Sequence, residues 1–184
     1  MLRLYFISAL AFLFISCSDP QVNKETAINE NMQEKGMQEK NMQQAGYSMN
    51  STEAEWKQRL TPEQFYILRQ KGTEAPGSGK YDKFYEKGTY YSAASLQPVF
   101  SSDAKFDSKT GWPSFSSPII TDAIKLVEDK SDGISRLEVV DSKSGSHLGH
   151  IFDDGPKPTG KRYCLNSPAL IFVPEGGQPP TSSK

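Results

Sequence analysis

A chain of 184 residues holds one ordinary globular domain plus extensions, since domains run to roughly 100–150 residues. With 21 Lys and Arg against 22 Asp and Glu the formal net charge is −1, and no basic run forms a phosphate-tracking stripe, so nucleic acid is discounted as a partner. Two cysteines allow one disulfide at most, but Cys17 closes an apolar leader, which leaves Cys164 as the expected free thiol of the folded part.

Residues 1–16 place Arg3 ahead of an apolar run from Leu4 to Ile15, too short for the ~20 apolar residues of a membrane-spanning helix. The run reads as an export signal. Leu13-Phe14-Ile15-Ser16-Cys17 resembles a bacterial lipoprotein processing site. That resemblance implies cleavage before Cys17, lipid on its sulfur, and a membrane-anchored lipoprotein facing the periplasm or the cell exterior. Residues 17–50 are rich in Asn, Gln, Glu and Lys, hold no aromatic residue before Tyr47, and predict a disordered tether. A five-residue repeat within it carries Met32, Met37 and Met42; with Met49 these are all the methionines besides Met1.

Residues 51–174 predict the folded domain. Thr52 to Leu60 has helical composition. Thr61-Pro62-Glu63-Gln64 then starts a second helix, with Thr61 as N-cap, Pro62 at the first position and Gln64 three residues past the cap. Phe65 and Leu68 fall on one face, and Gly72 is the expected stop. Beyond it come short β-branched and aromatic runs: Thr89-Tyr90-Tyr91, Ile124 to Val127, Leu137 to Val140, and Ala169 to Val173. Ile124 to Val140 predicts a hairpin whose loop is Asp129 to Gly133. Residues 175–184 are Gly, Pro and Ser rich and predict a disordered tail.

The chain's whole histidine complement, His147 and His150, lies three residues apart and is linked by a turn-rich segment to Arg162-Tyr163-Cys164. Imidazole beside a thiol is the pairing that nucleophilic sulfur chemistry needs. Two surface histidines beside a buried structural cysteine fit the spacing equally well.

Gly72-Thr73-Glu74-Ala75-Pro76, Lys105 to Ser108, Gly111-Trp112-Pro113-Ser114-Phe115, His147 to Pro156 and Arg162 to Ser167 together resemble methionine sulfoxide reductase B. The resemblance runs in order from about Glu53 to Pro174. It implies a mainly β (α+β) fold, two small antiparallel sheets forming a barrel or tent with the N-terminal helices packed on it. It also implies reduction of the R epimer of methionine sulfoxide, chiefly within oxidised proteins. A sulfoxide sulfur is electrophilic once its oxygen is protonated or hydrogen-bonded, so such a site needs a thiolate on one side and a proton donor on the other. The carried-over roles supply both: Cys164 attacks sulfur, His147 and His150 donate to the oxygen, and Asn166 helps hold that network. Trp112 packs the substrate methyl, with Phe115, Phe152 and Arg162 completing the substrate surface. The imidazoles and Arg162 are expected to favour the thiolate.

The chain departs from the family pattern at two places. Many members bind a structural zinc through two C-x-x-C pairs, and here those positions read Ser92-Ala93-Ala94-Ser95 and Asp141-Ser142-Lys143-Ser144. Neutral hydroxyls are poor zinc ligands, so no metal and no other cofactor is expected. Some members also carry a resolving cysteine before the Gly-Trp-Pro-Ser-Phe segment, where this chain has Lys109-Thr110. A sulfenic acid formed at Cys164 would then need an external thiol such as a thioredoxin-like protein, acting on a monomer. The rival reading is a non-catalytic metal-binding lipoprotein with His147, His150, Asp153 and Cys164 as ligands.

Overall fold

The computed structural model describes residues 51–181; the leader, Cys17 and the methionine-bearing tether lie outside the described residues. Helices α1 (Glu53–Arg59) and α2 (Pro62–Gln70) each begin with a capping box. Thr52 Oγ1 accepts the Glu55 N–H at 3.3 Å while Glu55 returns a carboxylate oxygen to the Thr52 N–H at 2.7 Å. Thr61 and Gln64 repeat the exchange at 3.2 and 3.1 Å. Orphan N–H groups at both helix starts are thereby satisfied by local side chains, which is why this signal is readable from sequence.

The end of α2 differs from the expected glycine stop. Lys71, not Gly72, takes the left-handed conformation, with φ 56°. Gly72 serves a close approach instead: a Cβ there would lie 2.3 Å from the Tyr66 ring.

Nine strands come after the helices: β1 (Gly88–Ser92), β2 (Pro98–Ser101), β3 (Lys105–Phe106), β4 (Ser114–Phe115), β5 (Ile124–Asp129), β6 (Arg136–Asp141), β7 (His147–Phe152), β8 (Arg162–Leu165) and β9 (Leu170–Pro174). They form two antiparallel sheets, one ordered β2-β1-β9 and the other β3-β4-β8-β7-β6-β5. The fold is mainly β with two helices packed on it, as the sequence predicts. The β5–β6 hairpin forms in the expected place, closed by a 3₁₀ turn at Ser131–Gly133. The tail expected to be disordered is described as far as Thr181 and opens with a turn in which Glu175 N–H reaches Lys87 O at 3.0 Å.

Helix residues Trp56, Ile67 and Leu68 join Tyr90, Phe100, Phe115, Val139, Leu148, Leu165 and Leu170 in one core. Aromatic rings fill its centre. Phe115 lies 5.0 Å from the Tyr90 ring and 4.8 Å from that of Phe100. Burying one such side chain stabilises by roughly 1.5–3 kcal/mol, so this cluster is a main source of the fold's stability.

Candidate active site

Strand register sets four polar residues in a row across the larger sheet. Glu138 on β6 pairs with His150 on β7, His150 with Cys164 on β8, and Cys164 with Ser114 on β4. Residues directly opposite one another project to the same face with Cβ atoms about 4.5–5.5 Å apart, so carboxylate, imidazole, thiol and hydroxyl stand side by side. His147 joins them through an irregularity. In a regular strand, residues three apart point to opposite faces. Here Val139 pairs with Gly149 but Val140 with His147, which makes Leu148 the extra residue of a β-bulge. The two imidazoles end up 5.3 Å apart, edge to face. Gly149 allows β7 to press on β8, since a Cβ there would sit 2.0 Å from the Cys164 carbonyl oxygen.

Each imidazole has its own carboxylate. His147 Nδ1 lies 2.8 Å from Glu138 Oε1, and the other Glu138 oxygen receives Lys71 Nζ at 2.7 Å. Burial pushes the Glu138 carboxyl up, but the bonds from His147 and Lys71 outweigh it and hold the group below its ordinary value. His150 Nε2 lies 2.8 Å from Asp129 Oδ2, an oxygen that Arg136 also approaches at 3.2 Å. Hydrogen bonds from Ser131, then from His150, hold the Asp129 carboxyl far below the usual carboxylate range. Burial lowers His150, opposed by the bond to Asp129 and reinforced by His147 and Arg136, so the neutral ring is favoured.

Cys164 is half-buried, and burial pushes its thiol up. Arg162, Thr110 and Ser114 pull it down without reversing the direction. The help expected from the imidazoles is thus supplied by a guanidinium and two hydroxyls. Arg162 is buried, clamped by Asp154 through Nε at 2.8 Å and Nη2 at 2.9 Å, and stacked 4.3 Å from the centre of the Phe152 ring. Its charge faces the sulfur from a fixed place. Thr110 Oγ1 lies 3.9 Å from Cys164 Sγ and 2.8 Å from Ser108 Oγ, which in turn accepts from Ser114 Oγ at 2.7 Å.

Asn166 lies beside the network rather than in it. Its Nδ2 donates to Leu148 O at 3.2 Å, bracing the bulge, and its Oδ1 accepts the Glu74 N–H at 3.1 Å. Trp112 Nε1 donates to Glu74 O at 3.1 Å, and Trp112 is partly exposed two residues before Ser114, the partner of Cys164.

Two expected assignments change. Phe115 does not line the substrate surface: it is fully buried, because its neighbour Ser114 faces the thiol and alternation sends Phe115 into the core. Asp153 does not join the histidines as a metal ligand; it is exposed and paired with Lys161, and no group of three potential ligands converges among the described residues. At the positions of the family's zinc cysteines, Asp141 accepts from Ser95 Oγ at 2.5 Å, Gln97 Nε2 at 2.7 Å, Lys143 N at 2.8 Å and Ser144 N at 3.1 Å. Three hydroxyls and a carboxyl already engaged in this way do not fit zinc.

Glu138, Asp129, Lys71, Thr110 and Ser108 are site residues that sequence reasoning missed. Glu138 has a signal, a lone acid between Leu137 and Val139; Asp129 opens the predicted hairpin loop.

A mainly β, two-sheet body carrying one half-buried thiol beside carboxylate-backed imidazoles has the chemistry of a sulfur oxidoreductase. The SelR domain profile matches residues 60–174. The peptide methionine sulfoxide reductase MsrB of Methanosarcina barkeri is 56% identical over 128 residues, covering 70% of this chain and 90% of the relative. That of Leptospira interrogans is 50% identical over 129 residues, covering 70% and 98%. The chain belongs to the SelR, or methionine sulfoxide reductase B, family.

Proposed function

We propose that this chain, a peptide methionine sulfoxide reductase by family, reduces the R epimer of methionine sulfoxide in oxidised exported proteins through a sulfenic acid at Cys164. The observation that carries the reading is the pairing of Cys164 with His150 in a row of proton-transferring groups. The raised thiol fits this chemistry, because the proton it holds at rest is the one the sulfoxide oxygen needs. Cys164 sulfur attacks the sulfoxide sulfur, oxygen passes to Cys164, and the thiol proton ends on that oxygen. Methionine sulfur is reduced by two electrons as Cys164 is oxidised to sulfenic acid. One external thiol then forms a mixed disulfide with Cys164 and releases water, and a second thiol restores the free enzyme.

The external reductant is inferred from thiol count, Cys17 and Cys164 being the chain's two cysteines and the first being the proposed lipid anchor. A thioredoxin-like exported protein is the fitting donor, and no metal or organic cofactor takes part. Localisation as a lipoprotein anchored through Cys17 rests on the sequence of residues 1–17. Turnover of the separated epimers tests the reading: reduction of the R epimer alone, abolished in Cys164→Ser, supports it. Activity on neither epimer, or full activity in Cys164→Ser, would sink it.

A further inference from the structure

A neutral imidazole has one N–H and one bare nitrogen, and a hydrogen bond at either nitrogen decides which is which. His147 is 3% exposed and Glu138 is 1% exposed, so water does not compete for the contact between His147 Nδ1 and Glu138 Oε1 at 2.8 Å. An ionised carboxylate only accepts hydrogen bonds, so Nδ1 carries a proton whatever the charge on the ring. Lys71 holds the carboxylate's other oxygen at 2.7 Å. That contact balances a buried charge and stops the carboxylate from turning. Lys71 is itself placed by backbone geometry, standing in the left-handed conformation at the end of α2, where the Gly72 N–H closes the helix onto Tyr66 O at 3.0 Å.

The two nitrogens lie on opposite edges of the ring, so turning Nδ1 toward β6 turns Nε2 away from it. On the other side of β7 is β8, the strand of Cys164. His147 Nε2 is buried and has no hydrogen-bond partner among the described residues. A buried nitrogen without a protein partner is uncommon and calls for an explanation, of which a catalytic role is one.

We infer that Lys71 and Glu138 are positioning residues for the reduction, which lock His147 with the proton on Nδ1 and keep Nε2 as a bare acceptor on the substrate side. The inference rests on the reductase reading and deepens it. With this lock, Nε2 takes the Cys164 thiol proton directly or through water, and Glu138 steadies the imidazolium that results. The same proton then passes to the sulfoxide oxygen as that oxygen moves to Cys164 sulfur, so no proton is gained or lost.

Two histidines in the whole chain make the test direct. Nitrogen-15 NMR of histidine-labelled protein, assigned with His150→Gln, reads each ring nitrogen as protonated or bare without any turnover. The expected result is His147 with a protonated Nδ1 and a bare Nε2 in the wild type. In Glu138→Gln the carboxamide can donate as well as accept, so the lock should loosen and kcat fall about 10²-fold or more with KM nearly unchanged. Glu138→Asp should recover part of kcat. Lys71→Met alters an exposed side chain and, in protein shown to be folded by circular dichroism, should give a smaller loss of kcat with the same split from KM. A wild-type His147 protonated on Nε2 would overturn the proposal, as would unchanged tautomer and kcat in both Glu138→Gln and Lys71→Met. A locked His147 in a protein that reduces neither sulfoxide epimer would uphold the lock and overturn the reductase reading alone.

Discussion

Asn166 and Trp112 hold the main chain of Glu74 between them, Asn166 Oδ1 accepting its N–H and the Trp112 indole donating to its carbonyl, each at 3.1 Å. Glu74, four residues beyond α2, thus connects the strand-end asparagine to the aromatic proposed to pack the substrate methyl. Asn166→Ala should lower kcat/KM at least about tenfold, because it frees the Glu74 segment and the Leu148 bulge together, and should destabilise by about 1–3 kcal/mol. Asn166→Asp keeps the acceptor for Glu74 but loses the donor to Leu148, so comparing the two variants shows which link matters. Unchanged kinetics in both would return Asn166 to a purely structural place.

Activity should fall as pH rises through a limb set by Cys164, because deprotonation removes the thiol proton that the sulfoxide oxygen needs. Burial moves that limb above the ordinary thiol value of about 8.5. Removing a group that pulls the thiol down must move it further up, so Arg162→Met and Thr110→Val should each shift the limb to higher pH. Alkylation of Cys164 by iodoacetamide should show the same shift without substrate. A limb that stays still in both variants would refute this assignment.

Thr110 Oγ1 lies 3.9 Å from Cys164 Sγ, where some relatives are expected to carry a resolving cysteine. Thr110→Cys should therefore convert the sulfenic acid into an intramolecular disulfide. After one turnover without reductant, a cyclic dione should label Cys164 in the wild type and find nothing in the variant, whose mass should show two hydrogens lost. Equal labelling of both proteins would mean that the backbone does not bring the two sulfurs together.

Asp141 accepts from two side chains and two backbone N–H groups. Asp141→Ala should cost on the order of 3 kcal/mol by leaving these buried donors unmatched. Chelators should leave the wild-type Tm unchanged. A Tm that falls with chelator would contradict the substitution of hydrogen bonds for zinc.

Phe115→Ala should cost roughly 3–5 kcal/mol, the effect of emptying a packed aromatic site. Because Phe115 faces the core, KM of the folded fraction should hardly move. A large rise in KM with little loss of stability would restore Phe115 to the substrate surface.

Local chemistry is legible in the linear chain. Thr52, Thr61, Pro62 and Gln64 act within one helical turn, and the β5–β6 hairpin pairs residues close in sequence, so their signals survive without the fold. The candidate nucleophile and histidines are legible because so few residues of the chain have that chemistry. Glu138 and Asp129 are not, since pairing a carboxylate with an imidazole 9 or 21 residues away depends on strand register.

By itself, then, the sequence determined the helix starts, the mainly β class and which residue is the free thiol of the folded part, each of which depends on residue type or short-range spacing. Only the tertiary structure decided which face each side chain takes. One inserted residue, Leu148, brings His147 round to His150, and plain alternation sends Phe115 into the core while Ser114 meets Cys164. A strand's side chains change face with every residue, so a shift of one position in register, fixed by partners far along the chain, determines whether a residue meets the substrate or the core.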